Sequence, residues 1–304
     1  MLWKKLGLVY AANGGQEWAA SHAYVPTTLM MDEDRIRVYV AFLDSNKVGR
    51  VGFVDLDASN PLRVQRVSEQ PVLDIGIPGT FDENGVTPTS IIRVGGKLYL
   101  YYLGWQLGVK VPYFLLAGLA ISEDEGENFT RYSLTPILER STNELFIRSA
   151  ASVMLDDNRW RMWYASGSRW ISVDGKQVPT YNMRYLESPD GKTWGAEGAV
   201  SLDLANNDEY GFGRPYVLKD DSIYKAWYSI RTKSHGYCLG YAESADGLLW
   251  TRKDNEAGLS VSSSGWDSQM ANFACVQKTR YGTYMFYNGN NYGATGFGVA
   301  ISQN

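Results

Sequence analysis

Five strand-like segments ending in aromatic residues recur along this chain at a nearly fixed interval, and that period constrains the fold more than any other feature. They are RVYVAF (Arg37–Phe42), KLYLYY (Lys97–Tyr102), RWRMWY (Arg159–Tyr164), SIYKAWY (Ser222–Tyr228) and GTYMFY (Gly282–Tyr287). Their last aromatics stand at 42, 102, 164, 228 and 287, in steps of 60, 62, 64 and 59 residues. Around each the same order returns: a short strand such as SIIRV (Ser90–Val94), a tight turn, the aromatic strand, a third strand, then a more polar fourth. Four antiparallel strands repeated at a fixed long period predict an all-β fold, a five-bladed β-propeller. The fifth unit stops after its third strand, GFGVAIS (Gly296–Ser302), while the chain opens on an orphan strand, LWKKLGLVY (Leu2–Tyr10). Pairing the two would close the ring and remove its exposed edges. One domain, 1–304, is expected, with blades near 11–75, 76–140, 141–205, 206–262 and 263–304 plus 1–10.

Composition agrees with a single large all-β domain, since 44% of the 304 residues are hydrophobic. The 21 Tyr and 10 Trp suit packed sheets and sugar-stacking surfaces alike. A formal charge of -4 gives no electrostatic reason to expect nucleic acid or an anionic membrane as partner. No apolar run approaches the ~18 residues that span a bilayer. The apolar part of the N-terminus is broken by Gly7 and lacks a small-x-small cleavage pattern, so it reads as a strand and not as a signal peptide. Cys238 and Cys275 read as two buried, reduced thiols, and a cytoplasmic location is expected. An edge-free ring has no built-in need to associate, so a monomer or weak oligomer is expected.

Counting back about twenty residues from each last aromatic reaches the loop before an innermost strand, where one mouth of the channel is expected. The positions are His22, Asp82, Glu144, Glu209 and Asp267, four acids and one of only two histidines. Converging carboxylates push their pKa values apart, so that one serves as acid while another stays ionised, as glycoside cleavage requires. The same acids would alternatively pair with Arg148 and Arg214, which begin inner strands three and four, or hold a channel cation such as Ca2+. Trp105, Trp170 and Trp266 offer apolar faces for a pyranose, and Asn288, Asn290 and Asn291 offer amides for hydroxyls. Asp44 and Glu83 stand close enough in sequence to join such a rim, and Arg214 would hold a carboxylate or phosphate on the substrate. Two histidines are too few for a histidine-based metal site, and no nucleophile, phosphate-loop or dinucleotide fingerprint is present, so no cofactor is required.

The turns Ser188–Trp194 and Ser244–Trp250 (S-x-D-G-x-x-W), and Ser122–Phe129, resemble the Asp-box of sialidases, a structural hairpin. The stretches GTFDENGVTPTS (Gly79–Ser90), YYLGW (Tyr101–Trp105), RMWYASG (Arg161–Gly167), GRPYVLKDD (Gly213–Asp221), GWDSQM (Gly265–Met270) and YNGNNYGATGFGVA (Tyr287–Ala300) carry a wider resemblance. The chain is similar to the five-bladed glycosidase superfamily of arabinanases, β-xylosidases, invertases, levansucrases and mannoside phosphorylases. Within it, the chain resembles glycosyl hydrolase-like propellers associated with bacterial surface-polysaccharide synthesis. That resemblance implies one acid from each of the first three blades as base or nucleophile, modulator and acid. Asp82 in FDENG matches best; SHAYVP (Ser21–Pro26) lacks the blade-one acid, Glu144 lies outside a clear motif, and Gln269 stands where an acid is common. The expected function is a carbohydrate-active enzyme acting on a glycosidic or sugar-phosphate bond, with Asp82, Glu144, Glu209 and Asp267 as catalytic candidates and a saccharide or sugar nucleotide as ligand. The alternative is a propeller that binds glycan without cleaving it; a protein-interaction propeller is a third class, which the acid ring argues against.

Overall fold

The computed structural model describes residues 2–303. Among these residues helix is confined to a four-residue stretch, α1 (Asn290–Gly293), and two three-residue turns of 3-10 helix. β1 (Trp3–Tyr10) is followed by the meander β2 (Ser21–Met30), β3 (Arg35–Leu43), β4 (Gly49–Asp57) and β5 (Asn60–Val67). The second group is β6 (Val86–Val94), β7 (Lys97–Leu107), β8 (Tyr113–Ser122) and β9 (Thr130–Arg131). The third is β10 (Ile147–Asp156), β11 (Arg159–Val173), β12 (Lys176–Ser188) and β13 (Ala199–Leu202). The fourth is β14 (Glu209–Asp220), β15 (Ile223–Thr232), β16 (Gly236–Ser244) and β17 (Thr251–Arg252). The last is β18 (Asn272–Thr279), β19 (Gly282–Asn288) and β20 (Phe297–Ser302), and β1 pairs antiparallel with β20 from Trp3↔Ser302 to Tyr10↔Phe297.

Hydrogen bonding gathers these strands into sheets of 4, 12 and 4, where the repeat predicts five separate sheets of four. The large sheet arises from short parallel joints: Ile147↔Leu115 and Arg148↔Leu116 link β10 to β8, and Tyr181↔Gly211 links β12 to β14. At these places an inner strand converges on the third strand of the preceding group closely enough to share one or two ladder pairs.

Packing explains why the aromatic strands repeat. Successive side chains on a strand face opposite ways, so each aromatic strand needs bulk on both faces. Tyr102 packs toward the first group and Tyr101 toward the third; Tyr164 and Trp163, then Tyr228 and Trp227, divide in the same way. Tyr287 packs with Trp227, while Phe286 packs with Phe42, Val38 and Val40 of the first group. The cores therefore lie between groups.

The serine–aspartate turns add polar ties at the same seams. In Ser188–Trp194, the Ser188 hydroxyl donates to Asp190 (3.0 Å) and accepts from the Gly191 N–H (3.0 Å), and Asp190 accepts from the N–H groups of Lys192 and Thr193. Gly191 sits at φ 71°, which a side chain would strain. Its carbonyl accepts from the Tyr101 hydroxyl of the preceding group (2.7 Å), as that of Gly247 does from Trp163 (2.6 Å). Cys275 is buried, but Cys238 is exposed, which corrects the expectation of two buried thiols; both are free. Residue 238 lies near the start of β16, by the turn from β15 and just ahead of the buried run Leu239–Ala242.

Each innermost strand slips register a few residues from its start: Tyr24/Thr27 in β2, Pro88/Ser90 in β6, Ser149/Ser152 in β10, Gly213/Tyr216 in β14 and Asn272/Cys275 in β18. Four of these bulges hold a non-glycine residue in the left-handed region, Val25 (φ 55°), Ala150 (55°), Arg214 (44°) and Phe273 (53°). Such residues cost of order 1–3 kcal/mol each and persist where the surroundings over-determine them. All four line the cavity described next.

Candidate functional site

The four acids of the twenty-residue count are each held by internal hydrogen bonds and ion pairs, and none is among the residues that line the cavity described below. Asp82, fully enclosed, accepts from the Tyr102 hydroxyl (2.9 Å) and from Arg131 on β9 (2.8 Å). Glu144, equally enclosed, accepts from Tyr164 (2.7 Å), Arg148 (2.9 Å) and the Gly198 N–H (3.0 Å), with Arg184 at 3.5 Å. Asp267 accepts from Tyr287 (2.9 Å) and Lys5 on β1 (2.6 Å). Glu209 is held by both terminal nitrogens of Arg252 on β17 (2.9 and 2.7 Å), which also binds Asp254, the acceptor of the Tyr228 hydroxyl. For Asp82, Glu144 and Asp267 the spacing of twenty thus records a tyrosine hydroxyl reaching the acid that precedes its strand, whereas Tyr228 reaches Asp254 and not Glu209. Where the first group has Phe42 there is no hydroxyl to satisfy, and Trp18 packs edge-on against that ring at 5.3 Å.

Ionisation agrees with this role. Burial pushes the Glu209 carboxyl up, but Arg252 and the Ala205 N–H outweigh it and hold it below the usual range. Burial likewise opposes ionisation of Asp267, and hydrogen bonds from Lys5, Ser262 and Tyr287 overcome it. A general acid at neutral pH needs the opposite displacement.

The principal cavity, about 660 Å³, opens where β2, β6, β10, β14 and β18 begin. That volume suits a small ligand. Its wall on one side is Trp105, whose indole N–H donates to the Thr87 hydroxyl (3.2 Å), itself 2.9 Å from the Tyr24 hydroxyl. Tyr113 packs edge-on against Trp105 at 5.2 Å, with Trp170 behind it at 5.1 Å. Burial raises both Tyr24 and Tyr113 to about 12, so each remains a hydroxyl donor. Arg231, which also interacts with the Tyr113 hydroxyl, lies against the rings of Tyr210 (4.7 Å), Tyr237 (5.2 Å) and Tyr181 (6.0 Å). His22 and Lys47 stand at the rim, both against the Ser21 hydroxyl. Burial, then the Lys47 charge, lowers the His22 pKa, so the imidazole is neutral at neutral pH.

Of the sequence-predicted residues, His22, Trp105 and Arg214 line the cavity, and the remainder lie elsewhere. Arg148 pairs with Glu144, one of the two alternatives considered for it. Arg214, 3% exposed, meets no acid; its guanidinium donates to the carbonyls of Pro26, Thr89 and Ala274 and to the Thr27 hydroxyl. It thus binds three other inner strands across the space where a channel cation was considered, and among the described residues no three His, Cys, Asp or Glu gather as metal ligands. Asp44 caps its own turn and pairs with Arg50 (2.8 Å), and Glu83 accepts from the Gly79 N–H (2.7 Å). Trp266 packs on Tyr287 at 5.1 Å, and Gln269 is exposed with its N–H donated to Asn290. Asn288 and Asn290 spend their amides on backbone groups, including the Val25 N–H and the Met270 N–H.

Sequence reasoning missed Arg231, Tyr181, Tyr237, Tyr113, Thr87 and Lys47. One signal was available: residues an odd number of places beyond the last aromatic of each strand continue the face turned to the cavity. Leu43, Leu103 and Ala165 stand one place beyond, and Trp105 and Arg231 three places beyond; all five line it.

No family model matches the chain. It is 35% identical over 305 residues to "Uncharacterized protein Rv1502" of Mycobacterium tuberculosis, covering 100% of both chains. Among solved structures it is similar to a "Glycoside hydrolase" with a TM-score of 0.76 at 19% identity, covering 98% of this chain and 90% of that one. An α-L-arabinofuranosidase from Lactobacillus brevis has a TM-score of 0.70 at 10% identity, covering 93% and 91% respectively. The endo-arabinase of Bacteroides thetaiotaomicron gives 0.66 at 14% identity, covering 95% and 96%. These likenesses establish the fold, an all-β architecture shared with the propeller glycoside hydrolases of arabinanase type.

Proposed function

The chain belongs to the family of Uncharacterized protein Rv1502 of Mycobacterium tuberculosis, and from the chemistry of its cavity we propose that the protein binds a saccharide there without cleaving it by the two-carboxylate route. One observation carries this reading: the cavity is walled by aromatic rings and hydroxyls, and neither Asp nor Glu is among its lining residues. Glycoside cleavage needs a protonated carboxyl at the leaving oxygen and a second carboxylate to attack or to activate water. Asp82, Glu144, Glu209 and Asp267 are engaged in internal ion pairs instead. Binding asks only for apolar ring faces and a few oriented polar groups. Trp105, fixed by Thr87, supplies the face, and His22, Thr87 and Tyr24 supply partners for hydroxyls.

In this reading the strand groups are the five blades of one propeller, with β1 as the fourth strand of the last. The packing of Phe286 against Phe42 and the pairing of β1 with β20 support it. A saccharide or sugar nucleotide is the ligand, and a place in surface-polysaccharide assembly suits a site that holds glycan intact.

Calorimetry against a panel of mono- and oligosaccharides tests the proposal. Binding is expected, with Trp105→Ala weakening it about tenfold, the scale of losing one aromatic face; product accumulating on long incubation would overturn the non-cleaving half. A second reading, an enzyme acting on a glycosidic bond, draws on one feature. The Asp82 Oδ1 is buried without a hydrogen-bond partner, two residues from the cavity-lining Asn84. Under it, Asp82→Asn removes turnover and leaves affinity unchanged.

A further inference from the structure

We propose that the saccharide taken by this cavity carries a negative charge, a carboxylate or a phosphate, and that Arg231 is the residue that holds it. The inference rests on the saccharide reading above. It begins with an imbalance of charge. The chain as a whole is acidic, at -4, yet the ionisable side chains lining the cavity, tyrosines apart, are His22, Lys47, Arg214 and Arg231. Nearly every other arginine has a carboxylate beside it; among the described residues only Arg169, Arg214 and Arg231 do not. Two of those three line this one cavity, and Arg169 is exposed.

The two cavity arginines differ in what they have left to give. Arg214 spends its terminal nitrogens on carbonyls and a hydroxyl of the inner strands, so it contributes positive field and holds the floor. Arg231 is enclosed by tyrosine rings; its Nη1 donates to the Tyr181 hydroxyl at 3.4 Å, the hydroxyls of Tyr113 and Tyr210 also interact with it, and no carboxylate does. Its Nε is buried without a partner, as is that of Arg214. A guanidinium has five N–H donors in a planar fork, matched to the two oxygens of a carboxylate or phosphate. Leaving such a charge partly desolvated and unpaired is costly, and an incoming oxyanion removes that cost. The aromatic face of Trp105 lines the same cavity, so one ligand can set a sugar ring on the indole and an anionic substituent on Arg231. Lys47 at the rim adds attraction along the way in.

The test is calorimetric titration of the whole protein with three kinds of probe. These are neutral hexoses, the corresponding hexuronates, and the corresponding hexose 1-phosphates, each at low and high salt, with inorganic phosphate as a separate titrant. At least one anionic class is expected to bind about tenfold or more tightly than its neutral parent, and to lose part of that advantage at high salt. Which class gains identifies carboxylate or phosphate as the recognised group. Arg231→Gln is expected to abolish the advantage, bringing anionic and neutral sugars to the same affinity, and Arg231→Lys to restore part of it. Equal affinity for neutral and anionic sugars overturns the inference and leaves the saccharide reading intact. Inorganic phosphate binding while no sugar binds overturns the saccharide reading and the anionic saccharide with it, and leaves an anion site at Arg231. An advantage that survives in Arg231→Gln and is insensitive to salt overturns the role of Arg231, and the salt series on the unaltered protein decides the charge question even if a variant folds poorly.

Discussion

Asp82 is enclosed between Tyr102 and Arg131, so removing its carboxylate leaves a largely buried guanidinium facing a hole. Asp82→Ala is expected to cost about 3–5 kcal/mol, read as a lower urea midpoint. Under the non-cleaving reading saccharide affinity is unchanged in the protein that remains folded. Acid stability is set at the same scale. The N–H groups of Thr193 and Lys192 hold Asp190 down to about 2, and Lys225 and Lys278 do the same for Asp220. Both lie below the unfolded value of about 3.9, so their contribution is complete above that value. It drains away as pH falls from about 4 to about 2. The thermal midpoint is expected to drop across that window, and Asp190→Asn to start lower at neutral pH and fall less steeply. The regular placement of Asp82, Glu144 and Asp267 was legible in the sequence, but its meaning was not. A fixed interval between an acid and a tyrosine says that two side chains meet, and it says nothing about whether a cavity lies between them.

Strands carried the clearest sequence signal, because each aromatic strand serves two seams. Trp163 and Tyr164 illustrate it: the first fills the core toward the fourth group and the second the core toward the second. Trp163→Ala is expected to cost about 3–5 kcal/mol and Tyr101→Phe, which loses the bond to the Gly191 carbonyl, about 0.5–1.5 kcal/mol, both by denaturant titration. Such a constraint repeats with every group, and so appears as a period. The joints that merge the middle groups into one sheet had no comparable trace. They consist of one or two ladder pairs, at Ile147↔Leu115, Arg148↔Leu116 and Tyr181↔Gly211, which depend on how strands converge in space and not on any residue's preference. The inner-strand bulges were equally silent, since Val25, Ala150 and Phe273 are not residue types that favour the left-handed region.

Over the whole molecule, β1 couples the two ends of the chain through its ladder with β20 and through Lys5 to Asp267. Deleting residues 1–10 is expected to lower the melting temperature and, by exposing the β20 edge, to produce concentration-dependent association seen by light scattering. The cavity draws on residues spread from His22 to Tyr292, so no linear motif announces it. Its shape also limits how a ligand moves. A second cavity of about 440 Å³ lies further along the same inner strands, with Thr89 lining both. Between them the Arg214 guanidinium grips Pro26, Thr27, Thr89 and Ala274. Arg214 therefore stands as a partition between the two cavities. On the saccharide reading, a glycan entering past Trp105 and Arg231 is expected to leave by the same opening, with one end dipped in or its length laid across the rim.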